Sequence, residues 1–335
     1  MKSKKIFALL TGLFMIASFS GCADDKASEE TQPGNEELMS QIASLQSQVE
    51  SLKAETVPNI SFKNKDDFLL GKDNPAVSEA VSEKEKVMEN LPATVIIGGE
   101  EYSTALTSLT LSNKNLTDED IKDLKYMVNL TDLQIYQNDI TDLSPLKGLT
   151  SLKKLSLFKN KISDLSPIAG LAGLESLYLR SNDISDISAL DGLVNLRVLD
   201  LSENKITDIT PLSELRNLTL LRLNDNSISN ITALSGMNKM NRLHLQNNYI
   251  SDISPLIEMI ELNELYIENN AVNSIEPIMS LTTIQWLKCG NNPIENLMPI
   301  TSLTAMKKLY IENIDVDQET LIYIKDQLPD TSIVQ

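Results

Sequence analysis

Residues 196–217 read LRVLDLSENKITDITPLSELRN, and this stretch decides the fold because its pattern recurs through the second half of the chain. With Leu196 as offset zero, apolar residues stand at offsets three, five, ten, thirteen, sixteen and nineteen. The next stretch, LTLLRLNDNSISNITALSGMNK at residues 218–239, keeps the same positions. A fixed period with this many apolar positions predicts a protein built from stacked structural repeats.

The repeat runs without interruption from residue 130 to residue 305 as eight units of 22 residues. Residues 94–129 are predicted to hold an N-terminal cap and a longer first repeat, and residues 306–335 a last partial repeat and a C-terminal cap. The offset-zero position is filled by Leu130, Leu152, Leu174, Leu196, Leu218, Met240, Leu262 and Ile284, with Met306 opening the partial unit.

The spacing also predicts the local structure of each unit. Apolar residues at offsets three and five, separated by polar ones, indicate a short strand with one buried face. Pairs such as Ser144-Pro145 and Thr210-Pro211 place a hydroxyl before a proline, which predicts a hydroxyl-capped helical or 3₁₀ turn. No unit can bury its leucines alone, so the units stack and their strands form a parallel sheet. The predicted fold is an α/β repeat solenoid with short helical returns.

Two polar rows accompany the apolar pattern. Stacked asparagines at offset eight can satisfy turn backbone groups in their own coil and the next one, so we predict a structural ladder. A second row, at offset twelve, is aspartate at Asp142, Asp164, Asp186, Asp208 and Asp252, but Asn230, Ser274 and Asn296 interrupt it, and no calcium site is expected. The first row, the asparagine ladder at offset eight, consists of Asn138, Asn160, Asn182, Asn204, Asn226, Asn248, Asn270 and Asn292.

The pattern LxxLxLxxNxIxDIxPLxxL, as it stands from Leu196 to Leu215, resembles the 22-residue leucine-rich repeat of the internalins and related bacterial surface proteins. The resemblance covers about residues 94–335. It implies a horseshoe with a concave parallel sheet that binds ligands, a capping hairpin near Thr94–Tyr102 and a closing helix near Glu319–Leu328. Internalins usually continue into an immunoglobulin-like module and often a wall-sorting signal. Because the sequence shows neither pattern, no host-invasion role is expected.

Residues 1–21 have the features of a secretory leader. Lysines near the start precede an apolar run from Ile6 to Phe19, which is too short to span a bilayer comfortably. The run ends in Phe19-Ser20-Gly21-Cys22, which resembles the lipobox of bacterial lipoproteins although Phe19 replaces the usual leucine. The resemblance implies lipid attachment at Cys22 and a lipid-anchored, extracytoplasmic protein of the bacterial cell membrane. The alternative is an ordinary secretory signal followed by a chance cysteine.

The segment between the leader and the repeats divides into three parts. Residues 22–37 are polar and predict a flexible tether. Residues 38–56 predict a short helix or coiled coil, and residues 57–93 an uncertain, partly helical linker in which Val77, Val81, Val87 and Met88 suggest a helix. The coiled-coil seam consists of Leu38, Ile42, Leu45, Val49 and Leu52. Residues 38–52 either join copies into a homo-oligomer or form one amphipathic helix that packs elsewhere on the protein.

Composition narrows the class of function. The net charge of −18 disfavours nucleic acid, because neutralising phosphates needs concentrated lysine and arginine. The single histidine, His244, excludes a histidine metal cluster and has no evident nucleophile partner. Cys289 occupies a position otherwise filled by Leu or Ile, so a buried structural thiol is expected. We therefore predict a binding protein without cofactor or metal, not an enzyme.

Residues at offsets two, four and six should point out of the concave sheet. Aromatic residues are only 4% of the chain, yet six of them fall on these positions among arginine, histidine and carboxylate residues. Binding hot spots favour tyrosine, tryptophan and arginine, although aromatic residues also simply suit strands. The predicted ligand-binding residues are Tyr136, Phe158, Tyr178, Arg180, Arg222, His244, Tyr266, Glu268, Trp286, Lys288 and Tyr310.

Two binding functions remain open at this point. The first is an adhesin or receptor for a foreign protein, or for a glycan. The second is an envelope scaffold or assembly factor that holds a partner of the same cell. Aromatic and charged residues suit both functions, so the sequence does not separate them.

Overall fold

The computed structural model describes residues 74–335, which belong to one compact unit of the chain, Asn64–Gln335. The predicted leader, the lipid attachment at Cys22, the tether and the seam at residues 38–52 lie outside the described residues. Within residues 74–335, no helix combines the length and the apolar character that crossing a bilayer requires.

Short strands stack into one parallel sheet of eleven, counted over the described residues. Their bounds are β3 Ser108–Thr110, β4 Asp132–Gln134, β5 Lys154–Ser156, β6 Ser176–Tyr178, β7 Val198–Asp200, β8 Leu220–Arg222, β9 Arg242–His244, β10 Glu264–Tyr266, β11 Trp286–Lys288, β12 Lys308–Tyr310 and β13 Ser332–Val334. In the repeats, residues at the same offset of successive units pair directly, as Leu265 does with Leu243 and Leu287. The predicted leucine-rich-repeat horseshoe with a parallel sheet is confirmed.

From β3 to β12, each strand is connected to the next through a short 3₁₀ turn. The turns span Lys122–Tyr126, Ser144–Leu146, Ser166–Ile168, Ser188–Leu190, Thr210–Leu212, Thr232–Leu234, Ser254–Leu256, Glu276–Ile278 and Met298–Ser302. The prediction that the hydroxyl before the proline caps the turn is wrong. Ser144 is already inside its turn, and its N–H and hydroxyl donate to the Asp142 carboxylate at 2.8 and 2.7 Å. An aspartate carboxylate accepts from two neighbouring donors more readily than a hydroxyl does.

This geometry explains the offset-twelve row without a metal ion. Asn230 accepts from the Thr232 N–H at 2.9 Å, and Asn296 accepts from the Met298 N–H at 2.9 Å, just as the aspartates do. An amide oxygen therefore replaces the carboxylate oxygen in the same turn. The row is part of the architecture.

The core is a stack of aliphatic side chains. Leu199, Leu201 and Ile206 of one unit are all completely buried, and so are their equivalents in the neighbouring units. Cys289 is completely buried at the position of Leu201, and burial raises the pKa of its thiol. Fully burying one such aliphatic side chain stabilises the fold by ~1.5–3 kcal/mol. Because leucine provides this in every coil, the sheet needs no aromatic core.

The offset-eight asparagines join adjacent coils. Asn204 Oδ1 accepts from the Ile184 N–H at 3.1 Å, and its Nδ2 donates to the carbonyls of Leu179 and Leu201, both at 3.0 Å. Asn204 therefore bonds to its own coil and to the preceding coil, not to the next one as the sequence suggested. The preceding coil is favoured because its turn carbonyl and N–H face the amide across the stack.

The residue immediately before each asparagine of the ladder is in the left-handed conformation. Its φ lies between 54° and 58° at Gln137, Lys159, Ser181, Glu203, Asp225, Asn247, Asn269 and Asn291. Asn313, at the same offset of the last partial unit, has φ 57° and precedes Ile314. Asparagine tolerates this conformation better than lysine or glutamate does. The last four turns therefore have the better suited residue, asparagine, at this position: Asn247, Asn269, Asn291 and Asn313.

Different elements close the two ends of the solenoid. Strands β1 (Thr94–Ile97) and β2 (Glu100–Ser103) form an antiparallel hairpin, which is followed by helix α2 (Asp118–Ile121). At the other end, helix α3 (Gln318–Gln327) begins where the Asp317 carboxylate accepts from the Thr320 N–H at 2.7 Å. Ile324 of α3 is completely buried against the last repeats.

Helix α1 (Pro75–Met88) packs against the first repeats through its small residues. A Cβ atom on Gly170 would lie 2.3 Å from the Ala76 carbonyl oxygen and 2.5 Å from the Ala80 Cβ, so only glycine permits this approach. Ala80 is buried, whereas Val81 and Met88 are exposed. The helix therefore exists, but its buried face is not centred on the apolar residues from which it was predicted.

Candidate ligand-binding site

The strands of the repeats present two rows of side chains on the concave surface. In β10 and β11 the central leucines, Leu265 and Leu287, are completely buried, and the residues on either side of them face outward. Parallel register places equivalent outward residues of neighbouring strands side by side. The concave face is therefore a grid in which each row is one offset of the repeat.

Four side chains at offset four form a continuous stack in the C-terminal half of this face. The rings of His244 and Tyr266 stack with centroids 4.4 Å apart and an interplanar angle of 14°. Lys288 Nζ lies 4.4 Å from the ring centroid of Tyr266 and 5.1 Å from that of Tyr310. Since His244 and Lys288 stand on opposite sides of Tyr266, both faces of that ring are covered. Tyr266 therefore offers its ring edge to a ligand, while its hydroxyl interacts with the Glu264 carboxylate.

Glu264 connects the stack to the neighbouring row. Its Oε1 lies 2.9 Å from His244 Nε2, and its Oε2 lies 3.7 Å from Arg242 Nε. Burial lowers the pKa of His244, and the hydrogen bond to Glu264 opposes this only in part. His244 is therefore neutral at pH 7, and Arg242 and Glu264 form the ion pair.

Trp286 occupies the same row as Glu264, one strand further along. Its indole is half-buried, and Lys307 Nζ lies 5.6 Å from the ring centroid. Sequence reasoning missed Lys307 because it stands at offset one, outside the alternating positions. The signal was available, since Lys307 directly precedes the strand that pairs with Trp286.

Two buried acceptors without partners lie beside the stack. Gln246 Oε1 and Glu268 Oε2 are inaccessible to solvent and accept no hydrogen bond. They occupy equivalent positions on adjacent coils, two residues beyond the paired His244 and Tyr266. Burial raises the pKa of Glu268, although Lys288 opposes the shift.

We define the C-terminal patch as the set of side chains that these contacts join. It combines rings, a cation and a carboxylate at the open surface of four consecutive strands. Its members are His244, Glu264, Tyr266, Trp286, Lys288 and Tyr310.

The predicted N-terminal residues form a separate group. Tyr136 and Phe158 stack with ring centroids 4.3 Å apart, at an interplanar angle of 10°. Arg180 is the next residue in that row, and its Nε donates to Glu203 Oε1 at 2.8 Å. Tyr178 is half-buried one row away. Because the Arg180 guanidinium is already paired with Glu203, the Tyr136–Phe158 pair is the part of this group that is more available to a ligand.

Arg222 lies between the two groups. Its Nη1 is 3.4 Å from Asp200 Oδ2, and Asp200 is buried. The predicted ligand-binding residues therefore divide into an N-terminal aromatic pair, a central ion pair and the C-terminal patch.

The described residues contain no cluster of three or more histidine, cysteine, aspartate or glutamate side chains that could hold a metal ion. Cys289 is buried beneath the sheet, where its Sγ lies 3.6 Å from the Tyr310 carbonyl oxygen. The arrangement of residues 74–335 thus offers polar and aromatic contacts to a ligand.

The repeats match a family model described as Leucine Rich repeats, at residues 128–170, 172–214 and 216–258. Together with the stacked coils and the parallel sheet, this match defines the chain as a leucine-rich-repeat protein. Among curated proteins, none matches the chain.

Solved structures narrow the class further. The chain is similar to internalin C2 of Listeria monocytogenes, with 31% identity, 67% of this chain and 94% of that chain covered, and a TM-score of 0.52. The chain belongs to the internalin-type leucine-rich-repeat proteins. Proteins of this type are typically binding proteins without enzymatic activity.

Two more distant structures share the fold. The functional domain of InlJ from Listeria monocytogenes is 22% identical, with 77% of this chain and 58% of that chain covered and a TM-score of 0.56. The ectodomain of the plant receptor kinase GASSHO1/SCHENGEN3 from Arabidopsis thaliana, in complex with CASPARIAN STRIP INTEGRITY FACTOR 2, is 19% identical. The matched region is 63% of this chain and 30% of the ectodomain chain, and the TM-score is 0.53.

Proposed function

We propose that this protein is a lipid-anchored cell-surface receptor or adhesin that binds a protein ligand on its concave face. The C-terminal patch is the centre of the binding site. The observation that carries this proposal is the continuous row of His244, Tyr266, Lys288 and Tyr310, which holds four large side chains in fixed positions at the surface. Side chains that are already ordered lose little conformational entropy on binding.

The covered ring faces favour a protein ligand over a glycan. Sugar rings stack on open aromatic faces, whereas both faces of Tyr266 are in contact with His244 and Lys288. Tyrosine edges and hydroxyls, an indole and nearby charges are the usual constituents of protein-binding hot spots. Binding of a peptide by a leucine-rich-repeat ectodomain has a precedent in the plant receptor complex.

A capture experiment tests the site. Purified protein is incubated with envelope extract of the producing bacterium and, separately, with host or matrix extract, and captured proteins are identified by mass spectrometry. The double variant Tyr266→Ala, Trp286→Ala should lose a partner that the unmodified protein retains. The control is Tyr249→Ala, since Tyr249 is 68% exposed and lies outside the three concave offsets.

The result tests whether the C-terminal patch is the binding site and whether the partner comes from the bacterium's own envelope or from outside the cell. A partner lost with the double variant and kept with Tyr249→Ala supports the C-terminal patch, and the extract that supplies it distinguishes an envelope scaffold from an outward-facing receptor. A partner captured equally by the double variant excludes the patch as the site.

The lipid anchor is supported by the lipobox-like residues that end at Cys22. Cys22→Ala should move the protein from the membrane fraction to the medium or leave it as unprocessed precursor, because the thiol that carries the lipid is gone. An unmodified N-terminus elsewhere in the first thirty residues of the unmodified protein, found by mass spectrometry, would exclude the anchor.

A further inference from the structure

The basic side chains of the concave face differ in their partners from one end to the other. In the N-terminal and central strands each has a carboxylate within 4 Å: Lys154 with Asp132, Arg180 with Glu203, Arg222 with Asp200 and Arg242 with Glu264. In the described residues, Lys288, Lys307 and Lys308 of the last repeats form no ion pair. Lys288 Nζ lies against the rings of Tyr266 and Tyr310, and Lys307 Nζ lies against the ring of Trp286.

Charges are also separated along these last strands. Lys307 and Lys308 lie at the start of β12, beside Trp286. The carboxylates of Glu268 and Glu312 lie at offset six, beyond the ends of their strands. Two lysines therefore lie on one side of the indole, and Glu264 on its other side is paired with Arg242. The carboxylates of Glu268 and Glu312 lie on the other side of the tyrosine row.

This face differs in charge from the protein as a whole, whose net charge is −18. The outward offsets of β4 to β12 carry six basic residues, Lys154, Arg180, Arg222, Arg242, Lys288 and Lys308. They carry five acidic residues, Asp132, Asp200, Glu264, Glu268 and Glu312. Lys307 and Lys308 are adjacent, lie beside the half-buried indole and have no carboxylate partner within residues 74–335, so an acidic ligand that the remaining surface repels is favoured at this one position.

We propose that the ligand binds through an acidic segment whose carboxylates contact Lys307 and Lys308 while an adjacent apolar side chain packs against Trp286. This inference rests on the proposed function and specifies the chemistry of the partner. A protein segment fits better than a polyphosphate, because the three unpaired lysines at this site, Lys288, Lys307 and Lys308, are too few to hold a long polyanion against an acidic chain.

The experiment uses a random dodecapeptide display library and the purified full chain. The library is selected on the unmodified protein and counter-selected on Trp286→Ala, so that the retained peptides depend on the indole. We expect retained peptides enriched in aspartate and glutamate next to an aliphatic or aromatic residue. Their affinity, measured by the change in fluorescence of the chain's only tryptophan, should fall at least fivefold in Lys307→Gln, Lys308→Gln.

Matched controls separate charge at the patch from net charge. The double variant Lys239→Gln, Lys325→Gln removes the same number of charges at two exposed lysines that lie outside the concave offsets and form no ion pair among the described residues, and it should bind like the unmodified protein. Raising the salt concentration should weaken binding to the unmodified protein more than to Lys307→Gln, Lys308→Gln.

The two ways of failing are distinguishable. If counter-selection leaves no peptides, because every peptide selected on the unmodified protein also binds Trp286→Ala, the proposed site itself is overturned. Peptides that depend on Trp286 but lack acidic residues, or that bind equally to Lys307→Gln, Lys308→Gln, would overturn the acidic-ligand proposal and leave the site standing.

Discussion

Lys288 is held against Tyr266 by the aromatic ring and not by a carboxylate, with 4.4 Å between its Nζ and the ring centroid. A second ring, that of Tyr310, lies 5.1 Å away on the other side. The cation thus fixes the spacing of two tyrosines on strands that are not neighbours. Lys288 therefore joins the rings of Tyr266 and Tyr310 into one continuous surface.

Lys288→Gln is therefore expected to lower the free energy of unfolding by about 1 kcal/mol, through loss of two partly exposed cation–π contacts. Urea denaturation followed by circular dichroism measures the change. Lys308→Gln on the adjacent strand removes the same charge without a ring contact and should change stability by less than about 0.5 kcal/mol. Equal effects of the two substitutions would show that the rings contribute nothing beyond general charge.

The asparagine ladder gives a second prediction. Asn204→Ala leaves the Ile184 N–H and the carbonyls of Leu179 and Leu201 without the amide that now bonds to them. We expect a loss of ~1–3 kcal/mol in the free energy of unfolding. Asn224→Ala, in a half-buried residue on the concave side of the same sheet, is the control and should cost less. An unchanged melting temperature for Asn204→Ala would mean that water satisfies these groups.

The left-handed turn residues predict a gain in stability. Lys159 has φ 55° and is exposed, whereas Asn247, Asn269 and Asn291 fill the equivalent position in later units. Lys159→Asn should raise the free energy of unfolding by about 0.5–1 kcal/mol, because asparagine tolerates this conformation better. Lys159→Ala keeps the unfavourable conformation and should bring no gain. A melting temperature raised equally by both substitutions would contradict this explanation.

The 22-residue period was sufficient to predict the sheet, the buried leucines and the outward offsets, because inside and outside alternate at fixed positions along each unit. The period also placed Tyr266, Trp286 and Tyr310 on the concave face. It could not predict which neighbours they contact. The position of Lys288 between two rings depends on side-chain conformations, which a repeat pattern does not specify.

The sequence also could not predict where helix α1 packs, because this too depends on contacts between elements that a repeat pattern does not specify. A signal was present in Gly148, Gly170 and Gly192, which all stand at offset eighteen of the first three complete units. In isolation, these glycines indicate only a turn. The structure shows that Gly170 lets helix α1 approach the repeats, because a Cβ atom on Gly170 would lie 2.3 Å from the Ala76 carbonyl oxygen.

The buried carboxylate of Glu268 leads to a prediction about pH. Burial raises its pKa, nearby Glu312 and Asp225 act in the same direction, and Lys288 opposes them. A carboxyl group whose pKa is higher in the folded protein than in the unfolded chain retains its proton better when folded. Stability is therefore greatest below the unfolded pKa and falls as the pH rises from about 4 through the folded pKa.

Glu268→Gln removes this titration and the buried charge while keeping the size of the side chain. We expect the variant to be more stable than the unmodified protein by ~1 kcal/mol at pH 7, where Glu268 Oε2 is an acceptor without a partner. The difference should shrink towards zero below about pH 4, where the carboxyl group is protonated in both states. Melting curves between acidic and neutral pH measure it, with Glu295→Gln, at an exposed position, as the control. A Glu268→Gln effect that does not vary with pH would mean that packing, and not the charge, determines the stability at this position.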